Sequence, residues 1–320
     1  MPINTDKAHL WKADTRASVD QVNQWFMTYA PKAYRDTRSK TVEHVEHGLL
    51  MTADLTTITP DVIKGAPAIL PALRMSTCPP LARDRLIGLA DSSKNFVGQL
   101  EKGKLPPRIS AKLLDENLQR IVGILSRMLD VDIFPWLAEA RRPTEEERYR
   151  SSTIVADRLC GAVAEPIVRN AQEKRQLALI GKYLIGRGYT QKAHPAAQPL
   201  NRMQPGTFTF RLNVKVKKTA TSVNSVNIPI DAVIQPKAAK LPHLPVLIEA
   251  KSAGDFTNVN KRRKEEATKM AQLKATYGKK IVFVLFLCGY FDAAYLGYEA
   301  AEGIGWIWEH RMKDLDKLGL

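Results

Sequence analysis

The apolar positions of this 320-residue chain change their period near the middle. In the first half they recur every three to four residues, the spacing of an amphipathic helix. Val19, Val22, Trp25, Phe26 and Tyr29 form one such series, and Pro31 is expected to close it. Pro60 after Thr59 suits the first turn of a short helix. Leu113, Leu114, Leu118, Ile121, Val122, Leu125, Met128 and Leu129 give the clearest amphipathic helix of the chain. A long helix is predicted from Ser151 to about Ile185, with Ile154, Leu159, Val163, Ile167, Leu177, Ile180 and Leu184 as its core positions. Pro166 is expected to kink or break it.

Beyond Gly186-Arg187-Gly188-Tyr189 the period shortens to two, or dissolves into short apolar runs, as strands require. Residues 207–216 alternate. Ile228-Pro229-Ile230-Asp231 and Val246-Leu247-Ile248-Glu249-Ala250-Lys251-Ser252 are aliphatic runs that end in charge. Residues 280–287 read as a fully buried strand at the sheet centre. Gly305-Trp306-Ile307-Trp308 is expected to pack on that sheet as an aromatic tail. The fold class is therefore α/β of the α+β kind, with a helical region over 1–150 and a mixed central sheet flanked by helices over 151–320. Ala140-Arg141-Arg142-Pro143, followed by Thr144-Glu145-Glu146-Glu147, is the nearest thing to a linker.

Hydrophobic content of 44% and charged content of 25% are ordinary for a globular chain, so only the balance of charge sets this one apart. Forty-eight Lys and Arg face 33 Asp and Glu, a net charge of +15 that favours a polyanion as partner. The longest apolar run, 281–288, is too short to span a bilayer, and no signal peptide is evident. The expectation is therefore a cytoplasmic protein bound to nucleic acid, with no membrane partner. Cys78, Cys160 and Cys288 are far apart and without a Cys-x-x-Cys pair, which fits a reducing compartment.

The two charged strand ends carry the chemistry. Glu249 and Lys251 share one strand face, and pairing of the two strands brings Asp231 beside Glu249. Two close carboxylates repel unless a cation sits between them, and such oxygen ligands suit Mg²⁺. A neighbouring lysine orients a water and offsets phosphate charge, so the set describes phosphodiester hydrolysis. A plain cross-strand ion pair is the bland alternative.

Two further stretches suit DNA. Residues 81–105 have the form of a helix-turn-helix, with Asp91 at the turn and Ser93 capping the second helix. Ser93, Lys94, Asn95 and Gln99 would then face the major groove. A helical hairpin buried in the core is the alternative reading. After Lys251, Thr257 or Asn258 can cap a helix running to Tyr277, whose first turn holds Lys261-Arg262-Arg263-Lys264. Basic residues there oppose the helix dipole, so a phosphate backbone explains them better than stability does. Asn258, Asn260, Lys261 and Arg262 are the DNA-contact candidates of this stretch.

Asp231, followed 18 residues later by Glu249-Ala250-Lys251, resembles the motif of the PD-(D/E)xK nucleases, although the proline stands two residues before Asp231 rather than one. The run from Glu249 to Ala267 resembles type II restriction endonucleases. Pro80-Leu81-Ala82-Arg83-Asp84-Arg85-Leu86-Ile87-Gly88-Leu89-Ala90 and Asp132-Ile133-Phe134-Pro135-Trp136-Leu137 are similar to the XamI-type group. The resemblance implies a PD-(D/E)xK catalytic domain over 151–320, preceded by a DNA-binding or dimerisation region. It further implies Mg²⁺-dependent cleavage of both strands at a short palindrome such as GTCGAC, leaving 5′-phosphates, by a homodimer that shares its system with a DNA methyltransferase. Asp231, Glu249 and the Ala250 carbonyl would hold the metal, and Lys251 would position the water. In that family a helix before the sheet often lends an acidic residue; Glu165 and Glu173 are the candidates, Glu165 being preferred. The competing expectation is a sequence-specific regulator with a vestigial nuclease core; a repair or junction nuclease is a third.

Overall fold

The computed structural model describes residues 2–195, 198–219, 221–255 and 259–320, and of 259–262 the backbone alone. Eight helices come first: α1 Ala8–Met51, α2 Pro60–Gly65, α3 Leu70–Met75, α4 Arg83–Leu89, α5 Lys94–Leu100, α6 Ala111–Arg127, α7 Pro135–Ala138 and α8 Glu145–Gly186. Strands β1 Thr190–Gln191, β2 Thr207–Lys217, β3 Ser225–Ile234 and β4 Val246–Ala253 follow. The chain closes with α9 Val259–Tyr277, β5 Val282–Gly289, α10 Ala293–Ala301, β6 Gly305–Trp308 and a 3₁₀ segment Glu309–Leu318. Helical first half and mixed sheet agree with the expected fold class. Among the described residues no helix is long and apolar enough to cross a membrane.

Two helices outrun their sequence signals. Pro31 does not end α1, nor does Pro166 break α8; both lie inside continuous helices of 44 and 42 residues. A proline forfeits one hydrogen bond and crowds the preceding turn. Burial on both sides outweighs that cost, through Val22, Ala30, Val45 and Leu49 in α1 and Leu159, Ala164, Leu177 and Ile180 in α8. Of the expected linker, 140–144 form a turn and loop after α7, and Glu145–Glu147 are already the first turn of α8. Thr144 Oγ1 accepts from the Glu147 N–H at 3.2 Å, and Glu147 Oε2 accepts from the Thr144 N–H at 2.8 Å, a reciprocal capping box.

By packing, the chain forms two compact units, Ala30–Val168 and Met1–Tyr29 with Arg169–Leu320, so the limits of the units fall inside α1 and α8. The first unit is all helix around one core that includes Leu70, Leu86, Val97, Leu118, Ile121, Phe134 and Trp136. In the other unit the six strands lie in sequence order. β1–β2, β4–β5 and β5–β6 are parallel pairs; β2–β3 and β3–β4 are antiparallel. One apolar layer joins the sheet to α9 and α10 through Met270, Leu273, Tyr295 and Leu296. The other joins it to α8 and the C-terminal 3₁₀ segment through Leu177, Ile180, Leu184 and Leu315. β5 is buried but lies fifth in the order, so the centre of the sheet is β3 and β4. The aromatic tail is itself β6, with Trp306 and Trp308 fully buried.

A two-residue period fails at one place, and the failure places the site. Phe208 and Phe210 of β2 belong to the layer under α8, whereas Leu212, Val214 and Val216 belong to the layer under α9. Their partners in β3 change sides in step: Ile234 and Ala232 lie with α8, Ile230 and Ile228 with α9. The strands therefore turn over at Arg211 and Asp231. Arg211 takes the left-handed conformation, φ 55°, and the register is unchanged across it, so the strands turn over without an inserted residue.

Candidate active site

β3 pairs with β4 over only three residue pairs, Ile234↔Val246, Val233↔Leu247 and Ala232↔Ile248, and then departs with β2. The next residues along are Asp231 and Glu249, so the two carboxylates stand in the fork between diverging strands. The Ala250 N–H donates to Asp231 Oδ2 at 2.8 Å, which fixes the aspartate across the gap. A cavity of about 250 Å³ opens there, lined by Arg169, Glu173, Gln176, Asp231, Glu249, Ala250, Lys251, Ser252 and Glu265. Larger cavities of about 810 and 1100 Å³ exist elsewhere, but their linings contain no carboxylate. Chemistry, not size, singles out the fork.

The Lys251 ammonium is 3.1 Å from Glu249 Oε1 and 3.0 Å from Oε1 of Glu266, a buried residue of α9. Burial pulls the Lys251 pKa down, but the charges of Glu249 and Glu266 together carry it above the ordinary lysine value. Lys251 is therefore an ammonium at neutral pH, fit to donate hydrogen bonds and offset charge but not to accept a proton. Lys269, one helical turn beyond Glu266, lies 2.5 Å from Glu249 Oε1 and donates to the Pro229 carbonyl at 3.2 Å. Asp231 has burial and then the charge of Glu249 acting on it, and its carboxyl is pushed up to about 6.

α8 contributes Glu173 and Gln176. Gln176 Nε2 donates to the Phe286 carbonyl at 3.3 Å and the Lys251 carbonyl at 3.4 Å, clipping the helix to β4 and β5. Glu173 lines the cavity and accepts from Arg211 at 2.8 Å. Glu165 is exposed, eight residues earlier on α8, and is not among the lining residues. Glu165 falls in the other compact unit, whereas Glu173 lines the cavity together with Asp231 and Glu249.

The donors fit a hard divalent cation. Glu249 Oε2 is buried and has no hydrogen-bond partner among the described residues, an oxygen left for something else to satisfy. Among the described residues no three side chains of ligating type are gathered into one cage. Mg²⁺ does not demand one, since it keeps several waters and is held by one or two carboxylates together with substrate phosphates. Asp231 and Glu249 supply that pair.

The helix-turn-helix candidate has the expected backbone. α4 and α5 are joined through Asp91 at φ 44°, and Ser93 Oγ accepts from the Phe96 N–H at 3.1 Å. Leu86, Ala90, Phe96, Val97 and Leu100 pack inward, while Ser93, Lys94 and Asn95 are exposed and Gln99 is half-buried. Core packing and an outward polar face thus coexist in one hairpin. In the basic stretch, Asn258 lies outside the described residues, as do the side chains of Asn260, Lys261 and Arg262. Arg263 stacks over the Tyr298 ring, 3.5 Å from its centroid.

Glu266 and Lys269 reach the site without being among the candidates that the sequence offers; they are spaced i, i+3 on α9 and share a helix face, which is the available clue. Arg211 is expected, from its place on the polar face of its strand, to border DNA, and it pairs with Glu173.

Comparison with known proteins identifies the family. The family model described as XamI restriction endonuclease matches residues 53–308. Type II restriction enzyme SalI of Streptomyces albus G is 56% identical over 317 residues, covering 99% of each chain. Type II restriction enzyme XamI of Xanthomonas campestris pv. amaranthicola is 28% identical over 126 residues, 39% of this chain and 41% of that protein. No solved structure gives a significant match.

Proposed function

The chain belongs to the XamI restriction endonuclease family, and from that footing we propose that its fork of Asp231, Glu249 and Lys251 is the cleavage centre of a type II restriction enzyme. The observation that carries the reading is the convergence of two carboxylates and one ammonium on a single cavity, with Glu249 Oε2 left unsatisfied. The substrate is duplex DNA, and the cut is hydrolysis of one phosphodiester in each strand at a short palindrome. GTCGAC is the proposed site, supported by the extent of identity to SalI. A symmetric site calls for a twofold protein, so the working form is a homodimer. Its setting is the cytoplasm, beside a methyltransferase that protects host DNA.

Asp231 and Glu249, with the Ala250 carbonyl, would hold Mg²⁺, which supplies Lewis acidity toward the phosphate and a more acidic bound water. Lys251 donates a hydrogen bond to the attacking water and stabilises charge on the phosphate oxygens. Glu266 and Glu249 hold its ammonium between them. Gln176 keeps the Lys251 main chain in register. Water forms the new bond to phosphorus and gives up a proton to solvent, while the P–O3′ bond breaks and the 3′-oxygen takes a proton from solvent, so the products carry 5′-phosphates and 3′-hydroxyls. Surface lysines and arginines, with Lys94 and Asn95 of α5, supply DNA affinity.

Incubating the protein with plasmid, with and without Mg²⁺, tests this. Discrete metal-dependent fragments with a common end sequence are expected. Unbroken but shifted DNA would instead indicate a regulator.

A further inference from the structure

Three carboxylates at the site already have basic partners, while Glu265 also lines the cavity. Glu173 is held by Arg211 at 2.8 Å, Glu266 by Lys251 at 3.0 Å, and Glu249 by both Lys251 at 3.1 Å and Lys269 at 2.5 Å. Asp231, by contrast, is bonded to a main-chain N–H. A divalent cation entering this set adds two positive charges to a group already close to balance, so one resident cation must yield or the ion is held weakly.

The three resident cations differ in how readily they can leave. Lys251 is wedged between two carboxylates, Glu249 and Glu266. Arg211 is an exposed partner of Glu173 and does not touch Glu249. Lys269 shares Glu249 Oε1 with Lys251, and among the described residues its other polar contact is one main-chain carbonyl, that of Pro229. Its ammonium rides on a four-carbon stem that can swing clear without disturbing α9.

We propose that Lys269 is the resident counterion of Glu249, competing with the divalent cation for that carboxylate and weakening cation binding by the DNA-free protein. The inference rests on the reading of Asp231 and Glu249 as the cation-holding pair. It gives α9 a role in the site beyond covering the sheet. Lys269 acts through Glu249, so it is a positioning residue rather than a catalytic one.

The test is calorimetric titration of MnCl₂ into the full-length, DNA-free protein at pH 7.5, comparing wild type with Lys269→Met, Lys269→Arg and Asp231→Asn. Lys269→Met keeps the stem and removes the charge; it should tighten Mn²⁺ binding by about tenfold or more, as expected for deleting a like charge next to the ion. Lys269→Arg keeps the charge and should stay close to wild type. Thermal melts establish that each variant is folded, and Lys269→Gln replaces Lys269→Met if that one is not. A folded charge-free variant that binds Mn²⁺ no more tightly than wild type, or not at all, overturns the inference. If Asp231→Asn meanwhile abolishes Mn²⁺ binding, the cation-holding pair stands and Lys269 alone is wrong. If Asp231→Asn leaves Mn²⁺ binding untouched, the pair itself is misassigned and the inference falls with it.

Discussion

Oε1 of Glu266 lies 3.0 Å from the ammonium of Lys251, on a carboxylate with no exposed surface. A helix thus sets the direction of an amine that a strand carries. Replacing Glu266 by Gln removes that charge while keeping the shape, and the cleavage rate should fall by about 10- to 100-fold, the usual cost of losing a supporting partner. DNA affinity should stay unchanged. Single-turnover cleavage read beside a gel-shift titration separates the two effects, and a loss confined to binding would contradict the assignment.

Lys251→Ala and Asp231→Ala should each lower cleavage by about a thousandfold or more, since each removes a group that meets charge developing in the reaction. Both variants should still shift DNA in the absence of a divalent cation. Cleavage retained in both would remove the fork from the mechanism.

Glu173 and Glu165 lie on one helix and give opposite expectations. Glu173→Gln should slow cleavage by about tenfold or more because its carboxylate lines the cavity. Glu165→Gln, at an exposed position, should cut at the wild-type rate. Initial rates on one plasmid substrate decide it, and the reverse ranking would restore the first choice made from the sequence.

Glu299 of α10 is fully buried, and burial first, then the charge of Glu266, pushes its carboxyl up to about 8 from the ordinary 4.5. An acid that holds its proton more tightly when folded gives stability that is complete below the unfolded value. That stability is lost as pH rises through the folded one. Wild type should therefore lose melting temperature between pH 5 and pH 9. Glu299→Gln, which has no proton to lose, should fall by several degrees less in the same calorimetric series.

Arg211 supports an ion pair and a left-handed backbone at once. Substitution by Gly or by Ala removes the pair equally, but only Gly occupies φ 55° without a Cβ penalty. Arg211→Gly should therefore be more stable than Arg211→Ala by about 1 kcal/mol in urea denaturation. Equal stability would mean the strand turns over without strain.

Much of this was legible beforehand. Glu249 and Lys251 stand two apart on an apolar run, so strand periodicity puts them on one face; Asp231 ends another run, and pairing of the two strands is what joins it to them. Ser93 was readable as a cap because its hydroxyl has one N–H to serve, that of Phe96. What stayed hidden depends on tertiary packing. Pro31 and Pro166 look like stops until burial on either side of them is known. Arg211 and Asp231 mark where two strands exchange faces, and a strict alternation cannot register that. Glu266 and Lys269 were hidden by a basic run that drew attention to the start of α9, when its later turn is what meets β4. Thr144 and Glu147 form a capping box whose spacing was plain, yet a proline and a charge cluster made the segment look like a tether.

β3 shares nine residue pairs with β2 but three with β4. The two acids therefore belong to separately supported ribbons, Asp231 to a long hairpin braced on α9 by Tyr277 and Thr276, and Glu249 to the parallel body of the sheet. Their spacing is set by a hinge three rungs long. Beyond those rungs the Ala250 N–H bond to Asp231 Oδ2 ties one ribbon to the other, so the separation of the two acids rests on that main-chain contact as much as on the ladder.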